Sequence, residues 1–109
     1  MAVAFAALLV ACSPENRCKS GDGQACEAWC DRGSAEVCEE IALMPYETAA
    51  PKEQFLQKAC DKGKASACYL LAMRLGDGAL RDPARATSLY ARACAGGVAA
   101  ACGKGDPGK

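Results

Sequence analysis

The spacing of the cysteines restricts this chain more than any other feature. Nine cysteines occur in 109 residues, near the density that marks a disulfide scaffold. With Cys12 set aside, the others form four couples, each eight residues apart: Cys18 and Cys26, Cys30 and Cys38, Cys60 and Cys68, Cys94 and Cys102. The intervening segments are copies of one pattern. CKSGDGQAC, CDRGSAEVC, CDKGKASAC and CAGGVAAAC all place a glycine three positions after the first cysteine: Gly21, Gly33, Gly63 and Gly97. Ala25, Val37, Ala67 or Ala101 precedes the second cysteine. Four copies in so short a chain point to internal duplication.

The spacing has a physical meaning. On one continuous helix, residues eight apart sit about 12 Å apart, at roughly 1.5 Å per residue. A disulfide needs Cα atoms within roughly 4.4 to 6.8 Å. Each couple can therefore close only if the chain reverses between its members, and the glycine is where it can do so. Glycine enters the left-handed conformation that commonly ends a helix. Each unit reads as helix end, glycine cap, short turn and next helix start. On the order of a hundred pairings of these cysteines are conceivable, and the repeat register selects the one within couples. In the loop-entropy view each bridge contributes about 2.5 kcal/mol, against a typical total stability of about 5–15 kcal/mol.

Between the couples the pattern is helical. Phe55-Leu56-Gln57-Lys58-Ala59-Cys60 matches Leu89-Tyr90-Ala91-Arg92-Ala93-Cys94 at an offset of 34. In both, two bulky apolar residues precede a base and Ala-Cys, the stripe of an amphipathic helix. Ala65, Cys68, Tyr69, Ala72 and Leu75 continue at helical spacing up to Gly76-Asp77-Gly78. Asp82-Pro83 supplies an N-cap and a first-turn proline; Pro51 opens the Phe55 helix similarly, after the Met44-Pro45-Tyr46 turn. Helices are expected at about 24–31, 34–43, 51–62, 64–75, 82–95 and 98–103, and no stretch alternates like a strand. Each long interval thus holds two antiparallel helices. Only Glu27-Ala28-Trp29 separate Cys26 from Cys30, so that region reads as a collapsed N-terminal cap, and the glycine-rich C-terminus as a truncated last repeat. The fold class is therefore all-α, a short solenoid of αα-hairpins stapled by disulfides.

The first residues carry a separate message. Val3 to Ala11 (VAFAALLVA) is uninterrupted apolar and small, too short for a membrane span of about 20 residues and suited to the h-region of a signal peptide. No Lys or Arg precedes it, which departs from that pattern. Leu9-Val10-Ala11-Cys12 resembles the bacterial lipobox, which implies a lipidated Cys12 as mature N-terminus. Ser13 in place of Asp after it implies outer-membrane delivery. Expected boundaries are a signal peptide at 1–11, a short tether at 12–17 and the repeat domain at 18–109. An exported location, periplasm or cell surface, permits disulfides.

The stretch from Ala65 to Cys102 resembles a Sel-one-like repeat, an αα-hairpin related to the tetratricopeptide repeat. Ala72, Leu75-Gly76, Gly78, Asp82, Ala86 and Tyr90-Ala91-Arg92-Ala93 meet its pattern. The cysteines eight apart are similar to those of the Helicobacter cysteine-rich protein family. The likeness is weaker over 30–60, where Leu43-Met44-Pro45 replaces Leu-Gly and Gly-x-Gly, and before residue 30 it rests on the cysteines alone. This resemblance implies recognition of a protein or peptide on a solenoid surface. Because some members carry a β-lactamase label, it also supplies an enzymatic rival.

The composition argues against chemistry. The chain has no histidine, which removes the commonest general base and zinc ligand together. None of Ser13, Ser20, Ser34, Ser66 and Ser88 has lysine three residues on, so the Ser-x-x-Lys motif of serine β-lactamases is missing. Seven-residue gaps between cysteines do not suit zinc knuckles, so no metal and no cofactor are expected. Net charge is zero, with acids and bases intermixed, which leaves no basic stripe for nucleic acid. Adjacent Glu39 and Glu40 read as a solvated face. Trp29 reads as packing against disulfides, with a role as binding anchor the rival reading. Tyr69 and Tyr90 read as core. No catalytic residue is assigned. The expected partners are a protein or peptide, and the membrane through lipid at Cys12; a purely structural envelope lipoprotein is the remaining alternative.

Overall fold

A computed structural model describes residues 13–76 and 81–104. The expected signal segment and Cys12 lie outside the described residues, as does the turn at 77–80.

Six α-helices and one 3-10 turn follow one another: α1 (Pro14–Lys19), α2 (Gly23–Arg32), α3 (Ala35–Leu43), α4 (Lys52–Asp61), α5 (Ala65–Gly76), α6 (Pro83–Ala95) and the turn Ala99–Ala101. No strand occurs among the described residues. Two elements differ from expectation. A helix forms over Pro14–Lys19, in the stretch read as a tether. Ser13 caps it by accepting from the Asn16 N–H, and Pro14 occupies its first turn, a start signal written in Ser-Pro. At the other end, residues 98–103 make only the short 3-10 turn, because Gly103 takes φ of 91° and a longer helix cannot form across it.

Consecutive helices pack against each other throughout, and α2 also touches α4. Alternate helices thereby form two layers, with α2, α4 and α6 in one and α1, α3 and α5 in the other. Side chains tie neighbours within each layer. Lys58 on α4 reaches Asp31 of α2 at 2.8 Å, and Arg92 on α6 reaches Asp61 of α4 at 3.2 Å. Both bases stand two residues before a first cysteine, and both carboxylates follow one directly. In the second layer Ser66 donates to Glu39 at 2.6 Å and Lys64 lies 3.7 Å from Glu36. This repeating register makes the fold a short solenoid.

The core is aliphatic and sulfur-lined. Phe55, Ile41, Leu56 and Leu71 are fully buried, with Ala59, Ala72, Leu75, Leu89 and Ala93 around them. The stripe read for α4 is buried in full. On α5 the buried face is Ala67, Cys68, Leu71, Ala72 and Leu75, while Ala65 and Tyr69 are only half-buried. Tyr69 and Tyr90 thus flank the core and do not belong to it.

Disulfides join Cys18–Cys26, Cys30–Cys38, Cys60–Cys68 and Cys94–Cys102, with Cα separations of 4.7, 4.6, 4.7 and 4.8 Å. Each closes the turn between one helix and its successor. At α4 the helix end is a Schellman motif: Lys64 N–H donates to Ala59 O at 3.0 Å and Gly63 N–H to Cys60 O at 2.9 Å. Gly63 sits at φ 103°, in the left-handed region. The turns after α1 and α6 repeat this geometry at Gly21 and Gly97.

The α2–α3 turn departs from the expectation for its glycine. Helix α2 runs one residue further, and Gly33 becomes its C-cap at φ −95°. Glycine is needed there for space: an added Cβ would meet Trp29 O at 2.8 Å and Val37 side-chain carbons at 3.1 Å. The ammonium of Lys62, just past α4, donates to Asp31 O at 3.3 Å and Gly33 O at 2.8 Å. A base from the next repeat therefore satisfies helix-end carbonyls that a Schellman turn would satisfy locally. Lys52 does the same for α3, donating to Ile41 O at 2.8 Å and Met44 O at 2.6 Å; burial lowers its ammonium pKa.

Candidate binding surface

The α1–α2 turn brings Lys19 beside Trp29, because the Cys18–Cys26 bridge holds the end of α1 against α2. The Lys19 ammonium lies 5.3 Å from the Trp29 ring centroid, within cation–π range. It also donates to Glu15 at 2.8 Å, the largest of the effects that raise its pKa. The cation over the indole is thus held charged.

Tyr46 completes the group from the α3–α4 loop, its ring 6.2 Å from that of Trp29 and tilted 48°. Its hydroxyl donates to Glu40 at 3.2 Å. Partial burial pushes the phenol pKa up, and the Glu40 carboxylate adds to the shift. Trp29 and Tyr46 are half-buried, with one part against the core. The residues leading into Tyr46 are Leu43 and Met44, the exposed large apolar side chains among the described residues, at 55% and 45%. Between the α1–α2 turn and residues 47–49 lies a shallow cleft of about 340 Å³.

A second aromatic group stands at the C-terminal end. Tyr69 on α5 and Tyr90 on α6 have ring centroids 5.8 Å apart. The Lys104 ammonium lies 5.6 Å from one centroid and 5.5 Å from the other.

The other candidate residues fall as follows. The eight paired cysteines are spread along the stack at its turns, so they brace the surface and do not converge on one point. Glu39 and Glu40 diverge: the first accepts from Ser66 across the layer, the second from Tyr46. Ser88 is exposed on α6. Among the described residues, no group of three or more His, Cys, Asp or Glu is placed to hold a metal ion. Trp29 was visible in the sequence as the single tryptophan, whereas Lys19, Tyr46 and Lys104 carried no signal. Their partners lie 10, 17 and at least 14 residues away with no shared periodicity. No protein-family model, curated protein or solved structure matches the chain.

Proposed function

We propose that this chain is an exported, lipid-anchored protein–protein interaction module built on disulfide-stapled helical repeats of the Sel-one-like type. The observation that carries the reading is the patch around Trp29. A half-exposed indole is fixed between Lys19 and Tyr46, on a frame that two buried bridges hold rigid, with Leu43 and Met44 exposed on the adjoining chain. Aromatic residues on a preorganised support are the usual anchors of protein interfaces, and preorganisation lowers the ordering cost of association. The expected partner is a protein or peptide of the bacterial envelope. Four disulfides support an oxidising compartment, and Leu9-Val10-Ala11-Cys12 supports a lipid at Cys12, several acyl chains giving firm membrane attachment.

The test combines a pulldown with exposed-site variants. Oxidised protein should retain an envelope partner, and Leu43→Glu with Met44→Glu should weaken that retention by at least about tenfold without changing helical content. Trp29→Ala should weaken it further. Retention unchanged in all three would end the assignment to this patch, and hydrolysis of a chromogenic β-lactam by the pure protein would replace binding with catalysis. For the anchor, Cys12→Ser should move the protein from the membrane to the soluble fraction; a mature protein still carrying residues 1–11 would refute it.

A further inference from the structure

The four bridges make a matched set in everything local. All span eight residues and hold Cα atoms 4.6 to 4.8 Å apart, so their loop-closure entropies are alike. They differ in what covers them. Cys18, Cys26, Cys30, Cys38, Cys60 and Cys68 are all at most 3% exposed. Cys94 is half-buried and Cys102 is exposed.

They also differ in what their opening disturbs. Each inner bridge lies at a junction with a further helix packed beyond it. Beyond Cys94–Cys102 there is only the 3-10 turn, which rests on α6. That turn is held by buried Ala101, by partly buried Val98, and by Lys104 over Tyr69 and Tyr90. Thiol–disulfide exchange requires a thiolate to reach a sulfur, so rates follow access. A buried bridge is reached only through opening of the surrounding structure, whereas a terminal one needs only local fraying.

We propose that Cys94–Cys102 is a thiol-exchange site, which a dithiol reductant opens while the other three bridges stay closed. A thiolate of the reductant attacks Sγ of Cys102, the more exposed sulfur. A mixed disulfide forms, the Cys94–Cys102 bond breaks, and Cys94 leaves as a thiolate that takes up a proton. The reductant's second thiol then attacks the mixed disulfide, closes its own disulfide and releases Cys102 as a thiolate. The bridge gains two electrons and the dithiol loses two. The segment from Gly96 to Lys104 is then free to leave the end of α6, uncovering the rings of Tyr69 and Tyr90. The redox state of one bridge thus sets whether the C-terminal end of the solenoid is closed or open.

The experiment is graded reduction of the oxidised protein with dithiothreitol, trapping thiols with N-ethylmaleimide and mapping the labelled peptides. Cys94 and Cys102 should be labelled at least about tenfold faster than any other couple. Concerted labelling of all four couples, or first labelling of another, would overturn the proposal. A Cys94→Ala/Cys102→Ala variant supplies the second arm. Its amide exchange should rise over residues 96–104, with α2 to α5 protected as before. Loss of protection across those helices, or failure to fold, would show that the bridge holds the whole domain and refute its role as a local latch.

Discussion

The turn after α4 and the turn after α6 begin as the same object and end with different physical roles. Both carry a bridge across eight residues, both place a glycine at φ 103°, and both make the same pair of Schellman hydrogen bonds. At the first, Asp61 follows the leading cysteine and receives Arg92 of the next repeat. At the second, Ala95 occupies that position, and no further repeat packs on it among the described residues. Local geometry is therefore written into each turn, while burial of its sulfur depends on what comes next in the stack.

The sharpest way to break this comparison is to remove each bridge in turn. Replacing Cys60 and Cys68 by alanine should lower unfolding stability by about 2–5 kcal/mol, the usual loss for a native bridge in a small exported domain. Replacing Cys94 and Cys102 should lower it by under about 1 kcal/mol. There the released loop entropy enters the frayed native state as well as the unfolded one, so most of it cancels. Chemical denaturation of both variants decides the matter; equal losses would mean the C-terminal end is part of the cooperative core.

Glycine substitutions sharpen it on a smaller scale. Gly63→Ala and Gly97→Ala put a Cβ at the same strained φ with nothing crowding either, a local strain of about 1–3 kcal/mol. The loss should appear in full at Gly63 and be largely absorbed by local fraying at Gly97, as read by thermal melting and amide exchange. Gly33→Ala should destabilise for a different reason, collision with Trp29 O. Trimming Val37 to alanine should then rescue it only in part, because a backbone oxygen cannot be removed.

Charge substitutions come next. Asp61→Ala removes a partner from an exposed pair and should cost about 0.2–1 kcal/mol, whereas Ala95→Asp at the matching terminal position should give no gain. Acid should loosen the early half of the stack first. Arg17 and backbone N–H groups hold Asp22 below the ordinary carboxylate range, and N-terminal backbone N–H groups do the same for Glu36 and Glu53. Stability from such groups is fully present above the unfolded-state value and disappears as pH falls through the lowered native one, below about pH 4. Amide exchange at falling pH should therefore rise at the starts of α2, α3 and α4.

Much of the frame was legible because it is local. A glycine three residues after a cysteine, with a second cysteine five later, specifies a chain reversal wherever it occurs, and the stripe from Phe55 to Cys60 reads directly as a buried helix face. The aromatic groups were not legible. Lys19 meets Trp29 only because a bridge sets α1 against α2, and Lys104 meets Tyr69 and Tyr90 only because the last turn folds back over α6. Helix α1 shows an intermediate case: its Ser-Pro start was in view, but six residues are too few to form an isolated helix, and packing on α2 supplies the rest.

The sequence by itself determined that this chain is a helical repeat, where its turns fall and which cysteines pair, since residues eight apart can bridge only through one kind of local reversal. Tertiary structure alone decided why Gly33 is glycine, which helix ends borrow a lysine from the next repeat, and which of four equal bridges faces solvent. Those properties belong to the stacking of one repeat on another, and identical local segments acquire them or lack them according to their place in the stack.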